Sequence, residues 1–320
     1  MLSPGLAEVL TGSTPIGVLL LDPVQLVISV AGLLALYGGG VLLVREAWVR
    51  WGRGWGSVLL LGAAYGILEE GVAVHTFFAP SSGVVHALGS FGHWAGVNWV
   101  WAVGLTVFHS LYSITLPILL VDLYLPESHG RRLVQRRGLL LILGAYVAVV
   151  GLFAAVTPFG PSPALLLGTL AVAGVLVVAA YRLPPGALRP ARHASTSTPF
   201  GLALAGSLSF SFWIFVTVGG VPRVVSSSYL AIGLVLALPT ISYLYLYATL
   251  GGEFAPEARF WTAVGLAVPL LAWAFLIDFT IPGPAVAAVA LIWWLHHLRR
   301  RLRAGTRGPA VIRGPSAPAA

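Results

Sequence analysis

Residues 138–158 read GLLLILGAYVAVVGLFAAVTP and contain no charged side chain. At a rise of about 1.5 Å per residue, a helix of this length spans about 30 Å, the thickness of a bilayer's hydrocarbon core. No water reaches that core to satisfy peptide groups, so a lone crossing segment has to be helical. On its N-terminal side the run is bounded by Arg131, Arg132, Arg136 and Arg137, as expected for a crossing that begins at a positively charged membrane face.

The pattern repeats along the chain. Of 320 residues, 58% are hydrophobic and 9% charged, against roughly 45–50% and about 25% in a typical soluble domain. Further apolar runs occur at about 24–44, 57–78, 95–122, 163–181, 199–219, 228–249, 260–281 and 284–298. With 138–158 they predict an all-α, polytopic integral membrane bundle of about nine transmembrane helices. The count is open to eight or ten, because the last run is short and Ile16 to Leu21 could extend the first. Residues 1–23 form a short N-terminal outer segment, residues 24–298 the transmembrane domain, and residues 299–320 a basic, largely disordered cytoplasmic tail rich in Gly, Pro and Ala.

Arginine placement supplies an independent check. Every basic residue is Arg, and an N-out, C-in arrangement puts 17 of the 18 in inner segments, with Arg223 as the single outer one. The net charge of +8 is thereby explained by topology and by contact with anionic lipid, and a nucleic-acid partner is not expected. No basic residue precedes Arg45, so the N-terminus lacks the charged region of a secretory signal. The expected location is a prokaryotic cytoplasmic membrane, with the lipid bilayer as partner and a small molecule, ion or peptide as substrate. With no cysteine, thiolate chemistry is excluded, and His, Asp and Glu remain as acid/base groups or metal ligands.

The second run reads AYGILEEGVAVHTFF over residues 64–78, which places Glu69 and Glu70 inside the crossing. A charged side chain deep in a bilayer costs at least about 2.5–3.5 kcal/mol, so each must be protonated, paired or turned to a polar cavity. In the third run Asn98, Trp101, Leu105, His109 and Ser113 recur at helical spacing and share a face. Helices two and three are joined by a short outer loop and should pack antiparallel, which allows His109 to approach the glutamate pair. Pro117 should kink the third helix.

Other polar candidates lie toward the outer side. His75, His86, His93 and Asn98 offer nitrogen and oxygen ligands, but without a short metal-binding spacing. Arg223 and Asp278 are a possible outer ion pair, and Asp122 is expected to pair with nearby inner arginines. No cofactor is specified by any motif.

The Glu69–Glu70 pair followed by His109 resembles the CAAX-prenyl-protease and bacteriocin-processing family of intramembrane proteases. That resemblance implies peptide hydrolysis, with Glu69 or Glu70 activating water and His109 orienting substrate or stabilising its oxyanion. The chain departs from the family pattern at Val74, where an Arg is expected, at Leu105, where an aromatic is expected, and in lacking a later His-x-x-x-Asn motif. Three functions therefore stay open: an intramembrane hydrolase, an ion- or proton-coupled transporter, and a structural or assembly protein in which these groups serve as buried polar contacts.

Overall fold

A computed structural model describes residues 2–14, 22–79, 91–185, 187, 206–207, 225–249 and 256–305, without the side chains of 242–249 and 304–305. Eight long helices appear among them. We number these α1 (Pro23–Trp51), α2 (Trp55–Ala73), α3 (Trp99–Tyr124), α4 (Arg136–Val156), α5 (Pro163–Arg182), α6 (Ser228–Thr249), α7 (Pro256–Ile277) and α8 (Pro284–Gly305). Among the described residues, α1 to α5 and α7 are long and apolar enough to cross a membrane. The expected run at 199–219 and the Ile16–Leu21 stretch lie outside the described residues, apart from 206–207, so the count of nine is not reached here. The only strands described are β1 (His93–Trp94) and β2 (Val97–Asn98), an antiparallel hairpin leading into α3.

Helix starts follow from local chemistry. Asp22 caps α1 by accepting from the Val24 and Gln25 N–H groups, with Pro23 at the first helical position, where a missing N–H costs nothing. Ser162 and Pro163 repeat the arrangement at α5. At the end of α1, Gly52 takes the left-handed conformation, φ 61°, that closes a helix most easily without a Cβ.

Burial divides the helices into two groups. On α4, Leu141 is 75% and Val147 60% exposed, whereas Ile114 and Leu120 of α3 are fully buried. The exposed leucines and valines of α4 and α5 suit a lipid-facing surface, and α2 and α3 form the centre. Gly62 and Gly66 on α2 let α3 come close: a Cβ on Gly66 would stand 2.7 Å from His109 Cβ, and one on Gly62 would stand 2.9 Å from Ser110 Cα. Small residues four apart are how helices approach each other where lipid removes the hydrophobic drive to associate. Ser110 Oγ then donates to the Leu59 carbonyl at 2.7 Å across the same contact.

The arginine-bearing helix ends gather at one end of the bundle. Arg45 donates to the Ser128 and Arg131 carbonyls, Arg50 to that of Val134, and Arg53 to that of Leu183. Glu46, fully buried, accepts from Arg45, Arg50 and the Leu133 N–H. Arg299 lies over the Trp261 ring and Arg301 over that of Tyr124. Asp122 pairs at 2.7 Å with His129.

Two chain ends differ from expectation. Residues 2–9 are helical, with Leu6, Ala7 and Leu10 buried, so the N-terminal segment packs into the helical domain instead of lying apart from it. The reason is visible at Pro117, which has no N–H for the Ser113 carbonyl four residues back; Ser3 Oγ donates to that carbonyl at 2.6 Å. At the other end α8 continues to Gly305, so residues 299–305 are helix, and the tail beyond lies outside the described residues.

Replacing Gly66 by Ala should lower the detergent melting temperature by an amount corresponding to about 1–3 kcal/mol, the usual cost of overpacking. Gly144→Ala, where an added Cβ meets nothing within 4 Å, should leave it unchanged. Equal melting of the two variants would show that the α2–α3 approach does not depend on Gly66.

Candidate functional site

Among the described residues, four short stretches are π-helix: Gly5–Val9, Leu34–Gly38, Glu69–Ala73 and His109–Thr115. A π-turn inserts one residue into the hydrogen-bond ladder and re-aims the side chains around it, and such bulges concentrate at functional sites. Here they carry Glu8, Tyr37, the Glu69–Glu70 pair, and His109 with Ser113. All but Ser113 line one cavity of about 680 Å³, together with Val74, Thr76, Trp101, Leu105, Phe108, Phe153 and Trp273.

The three principal candidates come together. His109 Nε2 lies 2.9 Å from Glu70 Oε1, and Nδ1 lies 3.2 Å from Glu69 Oε2 and 2.8 Å from Ser113 Oγ. A neutral imidazole donates through one nitrogen only. With the proton on Nε2 directed to Glu70, Nδ1 accepts from the Ser113 hydroxyl. Glu69 Oε2, buried, then accepts no hydrogen bond of normal geometry. The remaining Glu70 oxygen accepts from Thr76 Oγ1, which itself accepts from Trp101 Nε1 at 3.0 Å. Among the described residues, Glu69, Glu70 and His109 form a group whose ligand atoms all lie within 4.8 Å of one another, a spacing from which a metal ion could be held.

The face expected on α3 serves two purposes. Trp101, Leu105 and His109 reach the cavity and Ser113 supports the histidine. Asn98 instead braces the turn after α2, donating to the Ala79 and Thr76 carbonyls at 2.9 and 3.3 Å while its Oδ1 lies 2.6 Å from His93 Nδ1. His75 is also occupied elsewhere: it takes a left-handed φ of 55° at the end of α2, with Nδ1 2.9 Å from the Phe159 carbonyl. Asp278 accepts from the Gly283 and Ala285 N–H groups at 2.9 Å each and so organises the turn into α8. Its proposed partner Arg223, like His86, lies outside the described residues.

Glu8 and Tyr37 are the residues that the sequence analysis passed over. Glu8 accepts from the Tyr37 hydroxyl with one oxygen and from Thr14 Oγ1, at 2.6 Å, with the other. Their signal was weak, since Glu8 sits in a segment without helical periodicity and Tyr37 in an otherwise ordinary apolar run.

Comparison with known proteins gives a family. The chain belongs to an uncharacterized membrane protein family, whose model matches residues 1–298. Neither a curated protein nor a solved structure matches it.

Ser113→Ala should destabilise the protein in detergent by about 1 kcal/mol, the net worth of one ordinary hydrogen bond. His109→Ala should cost more, about 3 kcal/mol, because both buried carboxylates lose a partner. Thermal or denaturant melts of the two variants measure this, and equal loss would show that the histidine does not hold the pair.

Proposed function

We propose that this membrane protein is an intramembrane hydrolase whose reacting groups are Glu69, Glu70 and His109. The supporting observation is the 2.9 Å contact between Glu70 Oε1 and His109 Nε2 on the wall of a large cavity inside the helical bundle. A carboxylate in hydrogen-bond reach of an imidazole, with room beside it for water and substrate, is the geometry of paired acid/base catalysis. One glutamate takes a proton from water as the water oxygen adds to a peptide carbonyl carbon. The same glutamate then returns that proton to the departing amine as the carbon–nitrogen bond breaks, while the N–H of His109 stabilises the oxyanion. Thr76 and Trp101 fix the carboxylate of Glu70, and Ser113 fixes the imidazole, so both are oriented before substrate arrives.

The cavity's other walls describe the substrate. Leu33, Leu36, Phe108, Phe153, Trp273 and Ile281 make it largely apolar, which suits a hydrophobic or lipid-anchored peptide. Val74 and Leu105, two positions that depart from the protease pattern, both line this cavity. The departures thus fall where they would alter substrate fit. A second reading, ion- or proton-coupled transport, draws on the Glu8–Tyr37 contact, which extends the polar groups along the same cavity.

Proteoliposomes holding the purified protein should cleave members of a hydrophobic, membrane-anchored peptide library, as read by mass spectrometry. Glu70→Gln and His109→Ala should each reduce turnover by about 10²–10⁴-fold, the usual contribution of general acid–base catalysis, while the proteins stay helical and retain peptide binding. Turnover retained in both variants would overturn the hydrolase. Ion flux that is lost on Glu69→Gln, with no cleavage by the wild type, would establish the transporter in its place.

A further inference from the structure

We infer that Glu69, Glu70 and His109 form a binding site for a divalent cation of the zinc, manganese or ferrous class. This deepens the hydrolase reading and rests on the same cluster, although cation binding can be measured whether or not peptides are cleaved.

Charge balance is the first ground. Among the described residues lining the cavity are three carboxylates, those of Glu8, Glu69 and Glu70, and no arginine. Buried carboxylates are normally hydrogen-bonded, paired with a cation or bound to a metal. Glu8 is satisfied by Tyr37 and Thr14, and one oxygen of Glu70 by Thr76. Glu69 Oε2 is different: its side chain is 3% exposed, the oxygen accepts no hydrogen bond, and it faces the imidazole at 3.2 Å. A buried carboxylate so placed needs a cation beside it, and next to a neutral imidazole that cation is a metal ion.

Geometry is the second ground. One atom each from Glu69, Glu70 and His109 lie within 4.8 Å of one another. Metal–ligand bonds of about 2.0–2.2 Å place the corners of a tetrahedral zinc site about 3.3–3.5 Å apart, so the widest of these separations has to close by at most about 1.5 Å. With the cation on His109 Nε2, the Glu69 carboxylate, which lies nearer Nδ1, has to turn toward the cation. The Nδ1–H points to Ser113 Oγ at 2.8 Å, the supporting contact a ligating histidine usually makes through its second nitrogen. Thr76, held by Trp101, does the same for the Glu70 carboxylate. Three protein ligands leave a fourth position facing the cavity, the pattern of catalytic rather than structural zinc sites. The imidazole among the ligands argues against magnesium and calcium, which prefer oxygen alone.

The test uses full-length, tag-free protein in detergent. It is stripped with chelator, dialysed against zinc, manganese or cobalt(II), and freed of excess metal; content is then read by inductively coupled plasma mass spectrometry. The wild type should retain about one equivalent, as a three-ligand site implies, and the cobalt form should show the visible absorption of a low-coordinate site. Glu69→Gln and His109→Ala should lower affinity by at least about 10-fold, whereas His75→Gln, whose ring bonds to Phe159 outside the cluster, should match the wild type. Monodispersity and melting identify any variant that has not folded. Wild-type protein that retains no stoichiometric metal under any loading overturns the inference whatever the variants do, and leaves protons to neutralise the carboxylates. Metal retained equally by folded Glu69→Gln and His109→Ala also overturns it. Cleavage by metal-free wild type leaves the hydrolase standing without the cation; one bound equivalent without cleavage keeps the cation and removes the hydrolase.

Discussion

The close approach of α2 to α3 at Gly62 and Gly66 is the constraint on which the site depends. A side chain at Gly66 would occupy the space of His109 Cβ, so the histidine reaches the glutamate pair because a residue without Cβ lies opposite it. The same helix is held from other sides by small groups and single hydrogen bonds. Gly40 of α1 packs directly on the Tyr65 ring, and Ser57 donates to the Ala180 carbonyl of α5 at 2.8 Å. In a bilayer, lipid tails solvate apolar side chains as well as other helices do, and shape and hydrogen bonds decide which helices pair. The central helix is therefore fixed by absent side chains as much as by present ones.

Two groups of buried carboxylates in this fold are treated in opposite ways. Glu46 is enclosed by the guanidinium groups of Arg45 and Arg50 and a backbone N–H, and Arg45 in turn donates to two loop carbonyls. Nearly every partner such a cluster requires is present, and its effect is to tie α1 to the loop between α3 and α4. Among the described residues, Glu69 and Glu70 pair with an imidazole and neutral hydroxyls rather than with a guanidinium. A guanidinium beside them would make a firmer salt bridge but would leave no group free to exchange a proton or accept a ligand. The contrast between the two clusters is thus a contrast between fastening and chemistry.

Architecture was legible because its cause is one-dimensional. A run such as 138–158 states its own environment, and arginines mark the ends of runs without reference to any neighbour. The glutamate pair and His109 were legible for a related reason, since a polar residue within an apolar run carries a cost that demands a partner. What periodicity could not give was depth and azimuth. A regular helix sets His109 apart from the glutamates by a turn or more, and the π-turns at Glu69–Ala73 and His109–Thr115 change that register. Their hydrogen-bond shift has no residue signature. The partners of Asp278 and His75 were not legible for another reason: each bonds to backbone groups near a turn, and a backbone partner is invisible in a list of side chains.

The N-terminal segment shows how one residue's missing N–H can reach the site. Pro117 leaves the Ser113 carbonyl without its helical donor, and Ser3 fills that vacancy. The Ser113 hydroxyl meanwhile holds His109, so one residue of α3 joins the incoming segment to the imidazole through its two oxygens. Anchored at Ser3 and again at Thr11, whose carbonyl accepts from Trp273 of α7, the intervening residues have little freedom in where they place Glu8. Glu8 is delivered to the Tyr37 hydroxyl, on the same cavity as the glutamate pair. Residues expected to form a short outer segment are therefore part of the cavity wall. Any chemistry assigned to Glu69, Glu70 and His109 takes place in a field that the first turns of the chain help to set.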